Sequence, residues 1–121
     1  MANTFKVVTF AAEPASAGTA YKMYTCAGST TTVVLGLILT NIHSSAVTAE
    51  VELVSDTGSR GGANDVTNGT SFLIKDVTIP AGSSLEILSG GKVVLETTDE
   101  LKLDCSVADK LSGTLYIMEI K

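Results

Sequence analysis

The amino-acid sequence predicts an all-β fold, an antiparallel β-sandwich of about eight to nine short strands. Charged residues make up only 17% of the chain, against about a quarter in a typical domain, and Thr, Ser and Gly take their place. Turn residues recur at the short intervals that separate the strands of a sandwich. Several segments between the turns alternate apolar and polar residues, which is the period of a half-buried strand. Jelly-roll and immunoglobulin-like topologies both stay open at this point.

Nine segments have the residue content of strands, because they are rich in β-branched and apolar residues and are bounded by turn residues. They comprise residues 5–10, 19–26, 31–42, 47–54, 71–79, 84–88, 92–96, 100–107 and 112–120. The clearest stretch is 78–107, with a Pro-Ala-Gly turn at 80–82 and a Gly-Gly turn at 90–91. We predict a continuous meander there, in which segment 92–96 pairs with segment 84–88. All segments belong to one domain, residues 1–121, which begins with a short N-terminal arm.

Segment 31–42 is apolar on both sides if it forms a regular strand. One side would carry Val33, Leu35, Leu37 and Leu39, and the other Val34, Gly36, Ile38 and Ile42. A strand of this kind lies in the centre of a sheet and is covered twice. The mean hydropathy of +0.34 is also high for so small a chain. We therefore expect another subunit to cover apolar surface of this protein, most naturally along this strand.

The charge pattern argues against several partners. The net charge is −5, and the eight basic residues are scattered singly. Binding of nucleic acid relies on clustered Lys and Arg that neutralise phosphates, so we expect no nucleic-acid partner. No apolar run approaches the roughly 18 residues that a membrane span needs, and the N-terminus has no apolar core of signal-peptide length. We expect a protein made in the cytoplasm, without a membrane partner.

The residues that carry chemistry are few. His43 is the only histidine, which argues against a Ser-His-Asp triad and against multi-histidine zinc sites; we expect a turn residue. Cys26 and Cys105 are interpreted as buried thiols that act as small hydrophobes, with pairing as the open alternative. Asp56 and its neighbours lack the repeating oxygen register that calcium requires. We predict a non-enzymatic protein with no catalytic, cofactor-binding or metal-binding residues.

The long polar loop at 55–70 is the strongest candidate for partner contacts, because loops carry recognition on rigid scaffolds. It contains four glycines and two asparagines. The candidate contact residues are Arg60, Asn64, Asp65 and Asn68. The loop at 11–18 and the N-terminal arm are further candidates.

The segment IPAGSSLEILSGGKVVLETTDELKLDCSV, followed by SGTLYIMEI, resembles small virion structural proteins of tailed bacteriophages. The shared features are an Ile-Pro-Ala-Gly turn, a short strand, a Gly-Gly-Lys turn, and an acidic turn before an alternating strand. An upstream tyrosine-containing strand followed by VVLGLILTNI fits as well. The resemblance covers most of the chain, except the AEPASAG loop and residues 56–70.

The resemblance implies a non-enzymatic β-sandwich that packs as an oligomer on the virion, first of all as a capsid decoration or cement protein. Its implied partners are copies of itself, as a trimer, and a major capsid or other virion protein. Its implied location is the virion, after synthesis in the host bacterial cytoplasm. A neck, tail or fibre-associated component is the alternative of the same class. A host-binding, carbohydrate-binding module is the alternative of another class.

Overall fold

The computed structural model describes residues 3–55, 69–88 and 90–121. These residues form nine strands and no helix, which confirms the predicted fold class. The strands are β1 (Asn3–Glu13), β2 (Tyr21–Thr25), β3 (Thr31–Asn41), β4 (Val47–Val54), β5 (Thr70–Ile79), β6 (Ser84–Glu86), β7 (Val93–Leu95), β8 (Glu100–Cys105) and β9 (Leu111–Ile120).

The strands form two antiparallel sheets that pack as a sandwich. The five-stranded sheet has the order β1-β9-β3, and both β6 and β7 pair with the far side of β3. The four-stranded sheet has the order β2-β8-β4-β5. Alternate residues of each strand point into the space between the sheets, so one core serves both. Its largest fully buried side chains include Leu37, Leu39, Ile79, Leu95, Leu101, Leu103, Leu111, Leu115 and Ile117.

Polar contacts join the sheets near both ends of β3. At its C-terminal end, the Asn41 side-chain amide donates hydrogen bonds of 2.9 Å to the carbonyl oxygens of Ser45 and Ile79. Near its N-terminal end, the hydroxyl groups of Thr32 and Tyr24 lie 2.9 Å apart. Because a buried polar group is costly without a partner, these contacts favour one alignment of the two sheets.

A β-bulge in β3 corrects the predicted assignment of its two sides. The register with β9 shifts between Val34 and Gly36, so one extra residue, Leu35, enters the strand and reverses the alternation beyond it. Val34 points inward before the bulge, whereas Leu37 and Leu39 point inward after it. The predicted grouping of Leu37 and Leu39 with Leu35 was therefore wrong. The predicted central position of the strand is confirmed.

The predicted meander at 78–107 was also wrong. β6 and β7 do not pair with each other. Each pairs with a different part of β3, β6 at Ile38–Thr40 and β7 at Thr32–Val34. β5 and β8 lie in the other sheet. The physical reason is that β3 is long enough to pair with both short strands, and this arrangement buries Leu95 completely in the core.

The first strand is longer than predicted. β1 extends to Glu13, after a register shift between Phe10 and Glu13, so residues 11–13 belong to a strand and not to the predicted loop at 11–18. His43 lies at a bend after β3, as expected, and its backbone N–H donates to Asn41 Oδ1 at 2.7 Å. Cys26 and Cys105 are buried and unpaired, which confirms the preferred interpretation of these residues.

Candidate functional site

The outer side of the five-stranded sheet carries almost no charge. The alternation of each strand determines which side chains lie there, and we call this set the apolar face. Among the described strand residues, Glu86 is its only charged member. The apolar face consists of Asn3, Phe5, Val7, Thr9, Thr31, Val33, Leu35, Ile38, Thr40, Ser84, Glu86, Val94, Ser112, Thr114, Tyr116, Met118 and Ile120.

The strand register brings the largest of these side chains into adjacent rows. One row crosses four strands and consists of Phe5, Met118, Val33 and Val94. Val7 and Tyr116 lie opposite each other in the next row. Phe5 is 71% exposed, Val7 59%, Val94 54% and Tyr116 41%. Large apolar side chains in contiguous rows, several of them strongly exposed, are typical of a surface that another molecule covers.

An open groove runs between these rows. It has a volume of about 460 Å³ and is lined by Phe5, Lys6, Val7, Leu35, Tyr116 and Ile117. The bulge at Leu35 places Gly36 opposite Tyr116. A Cβ atom on Gly36 would lie 3.1 Å from Tyr116 Cδ2, so the ring lies closely over the point where β3 has no side chain. The bulge and the glycine thus determine the shape of the groove at this point.

The outer side of the four-stranded sheet carries charged side chains on all four strands, with Phe72 as an exposed ring beside Lys75, and we call it the charged face. It carries Lys22, Glu50, Glu52, Lys75, Glu100, Lys102 and Asp104. Lys22 Nζ lies 2.9 Å from Glu100 Oε2, and Lys75 Nζ lies 3.2 Å from Glu50 Oε1. Exposed pairs of this kind contribute little to stability, but they keep the sheet hydrated and discourage apolar contacts.

A polar cluster lies on the inner side of the five-stranded sheet, beneath the apolar face. Lys6 Nζ is 2.8 Å from Glu119 Oε1, and the Tyr24 hydroxyl donates to Glu119 Oε2. The hydrogen bonds from Lys6 and Tyr24 lower the pKa of Glu119. Burial, together with the bond to Glu119, raises the pKa of Tyr24 to about 12.

These contacts tie β1 and β2 to β9. Glu119 is only 5% exposed, and an isolated carboxylate at such a place would be strongly destabilising. Its two oxygens are both engaged, one by the Lys6 ammonium and one by the Tyr24 hydroxyl. The cluster therefore anchors the N-terminal part of β1, whose side chains are otherwise exposed from residue 3 to residue 7.

The predicted contact residues Arg60, Asn64, Asp65 and Asn68 lie outside the described residues. The structure instead brings together Phe5, Val7, Tyr116 and Val94, which the sequence analysis did not single out. A signal for them exists, because segments 5–10 and 112–120 carry apolar residues on both sides. A strand whose second side is apolar needs a second cover, and this reasoning applies to β1 and β9 as well as to β3.

In the described part of the chain, no group of three or more His, Cys, Asp or Glu side chains is arranged to hold a metal ion. No helix among residues 3–55, 69–88 and 90–121 is long and apolar enough to cross a membrane. Comparison with protein-family models, with curated proteins and with solved structures finds no match to this chain.

Proposed function

We propose that this chain is a non-enzymatic virion structural protein of a tailed bacteriophage, a capsid decoration or cement protein that works by packing. The single observation that carries the packing role is the apolar face, where one charged side chain, Glu86, stands among the described outward residues of the sheet. An antiparallel sandwich exposed to water on both sides normally presents polar residues on both. Here only the charged face follows that pattern.

The size of the apolar face suits a protein contact. Three strands of ten or eleven residues, β1, β9 and β3, and the two three-residue strands β6 and β7 beside them, spaced about 4.8 Å apart, cover roughly 600 Å². One side of a standard protein–protein interface contributes about 800 Å². The central part of such an interface is depleted in charged residues and enriched in aromatic residues and Met, and the row of Phe5, Met118, Val33 and Val94 has this composition.

The assignment to a phage particle draws on the turn motifs at 79–107 and the terminal strand, which resemble small virion structural proteins. In this role the apolar face lies against a major capsid or other virion protein, and the charged face stays in solvent. Copies of the chain are the other partner, and the resemblance implies a trimer. Nucleic acid and membrane are not proposed as partners, since no basic cluster serves the first and no apolar span serves the second.

Purified particles of a phage that encodes this chain test the proposal. Quantitative mass spectrometry would measure the copy number of the chain relative to the major capsid protein. A ratio of the same order as the capsid protein supports decoration. A ratio like that of neck or tail-tip proteins would instead favour a neck, tail or fibre-associated component. Absence of the chain from particles would contradict a virion role.

One observation favours a second candidate, a carbohydrate-binding module. Phe5 and Tyr116 both line the open groove, and exposed rings can stack on sugars. The remaining lining of the groove is aliphatic apart from Lys6, so it offers few groups to hydrogen-bond sugar hydroxyls. Binding of the purified chain to a glycan array, lost on Tyr116→Ala, would favour this second function over the first.

A further inference from the structure

The four sheet edges of this protein are protected to very different degrees. Exposed edge strands can pair with other chains, and proteins block them with short strands, bulges and charges. β6 and β7 are three residues each. β2 has five residues, with a register shift after Lys22. β5 has two register shifts against β4, and it carries Lys75 and Asp76, the latter at a φ of 50°. Each of these three edges is therefore blocked.

β1 has none of these features over most of its length. It has eleven residues, and its ladder with β9 is uninterrupted from Asn3 to Phe10. Between residues 3 and 12 its only charge is Lys6, and that ammonium is held inward by Glu119. Among the described strands, β1 pairs with β9 alone. Its second row of backbone N–H and C=O groups is thus available to another strand.

We propose that β1 pairs in an antiparallel ladder with β1 of a second copy, about a two-fold axis that passes through Val7. The two five-stranded sheets then become one continuous sheet. The proposal goes beyond the packing role above, because it specifies a second contact at the edge, separate from the apolar face. Such a contact uses the same patch on both subunits and closes with two copies, unlike the trimer that the resemblance implies.

The alternation of β1 restricts the possible registers. Directly opposed residues of a ladder point to the same side of the sheet. Residues of the apolar face must therefore pair with residues of the apolar face of the other copy. A register centred on Lys6 would place the two ammonium groups opposite each other, and like charges directly opposite are destabilising. A register centred on Val7 avoids this and pairs Phe5 with Thr9 of the other copy. It also uses almost the whole regular stretch of the ladder, residues 4–10.

Charge and continuity favour a second copy over an unrelated strand. Each copy has a net charge of −5, so a contact between copies must avoid the acidic surface, and the β1 edge does so. The row that begins with Phe5 runs across the sheet to Val94. Pairing at β1 extends the same row into the second copy. The strongly exposed side chains of Phe5 and Val7 are then flanked by side chains of the second copy that are themselves apolar or uncharged.

The full-length chain in solution tests the proposal by mass and by cross-linking. Sedimentation equilibrium should give twice the chain mass of 12.5 kDa. Val7→Cys should form a disulfide-linked dimer on mild oxidation, because Cα atoms of directly opposed residues lie about 4.5–5.5 Å apart, within the range that a disulfide spans. Cys26 and Cys105 are buried and should not compete.

Val94→Cys is the matched control, since Val94 has the same side chain, lies on the same face and is similarly exposed, but sits at the other edge of the sheet. It should not cross-link. Val7→Lys should weaken dimerisation by up to about fivefold through like-charge repulsion at the axis, whereas Val94→Lys should leave it unchanged. A folded monomer at high concentration, a three-fold mass, or equal cross-linking of the two cysteine variants would overturn the proposal. If any of these results is obtained while the chain is still present on particles, the pairing of β1 is contradicted but the proposed packing function is not.

Discussion

On the outer side of the four-stranded sheet, Lys22 and Lys102 both lie within ion-pair distance of Glu100. At comparable positions on the five-stranded sheet stand Phe5, Met118 and Val33. Both sets belong to antiparallel strands that alternate between core and outside, and both sheets share one core. The difference therefore cannot come from the requirements of folding. A sandwich can present charges on an outer side, as the charged face does, and the composition of the apolar face points to a different environment.

The largest expected effect comes from placing a charge on each face in turn. Thr114→Glu puts a carboxylate on the apolar face, between Thr9 and Ile38. This variant should lower the amount of chain bound to particles at least about tenfold, because an unpaired buried charge costs several kcal/mol. Thr78→Glu makes the same change on the exposed side of β5 and should leave binding nearly unchanged. Binding is measured by the ratio of chain to capsid protein after particle purification.

Thermal unfolding of both variants serves as the control for folding, and both should stay close to the wild type. Equal loss of binding for Thr114→Glu and Thr78→Glu would show that the two faces do not differ in function. A larger loss for Thr78→Glu would reverse the assignment and make the charged face the contact surface.

A second comparison uses two glycines of the five-stranded sheet. Gly113 faces the Phe10 ring in the core, and Gly36 faces the Tyr116 ring at the surface. A Cβ on Gly113 would lie 2.2 Å from Phe10 Cζ, whereas a Cβ on Gly36 would lie 3.1 Å from Tyr116 Cδ2. Phe10 is buried in the core and Tyr116 is at the surface. Gly113→Ala should therefore destabilise the fold by about 1–3 kcal/mol, the range for overpacked cores, and Gly36→Ala by clearly less, because the Tyr116 ring can move into solvent.

Chemical denaturation of the two alanine variants measures this difference in the free energy of unfolding. Similar losses for both would mean that Tyr116 is held as firmly as a core ring, which contradicts an open apolar face.

The smallest expected effect concerns the charged pair beneath the apolar face. Glu119 has a pKa below the usual value of 4.5, chiefly because of the hydrogen bond from Lys6. A carboxylate with a lowered pKa in the folded state stabilises the protein above its unfolded pKa, and this contribution is lost as the pH falls through the folded pKa. The wild type should therefore lose stability as the pH drops below 4.5, and both Glu119→Gln and Lys6→Met should weaken that dependence. Unfolding curves between neutral and acidic pH measure it, and curves of unchanged slope would contradict the assigned role of the pair.

Much of the fold follows from local sequence signals. Each of the nine strands overlaps a segment that β-branched content and turn residues predicted, because these preferences act over a few residues. The buried positions of Leu101, Leu103 and Cys105 follow from simple alternation in the same way. Such signals need no knowledge of which strands become neighbours.

The predictions were wrong where the structure depends on which strands become neighbours. The bulge at Leu35 depends on pairing with β9, and within segment 33–39 no polar residue reveals on which side an extra residue enters. Likewise, β6 and β7 pair with β3 and not with each other, a choice made by a strand more than forty residues earlier in the chain. The apolar face is a product of the same long-range register, so its rows could be assembled only once the pairing was known.

The most direct test of the central claim is cryo-electron microscopy of an intact particle of a phage that encodes this chain. We expect density for the sandwich on the particle, with the side that carries Phe5, Val33, Tyr116 and Val94 against a neighbouring protein and the side that carries Glu50 and Lys102 in solvent. Density with the charged face buried and the apolar face in solvent, or particles that lack the chain, would contradict it.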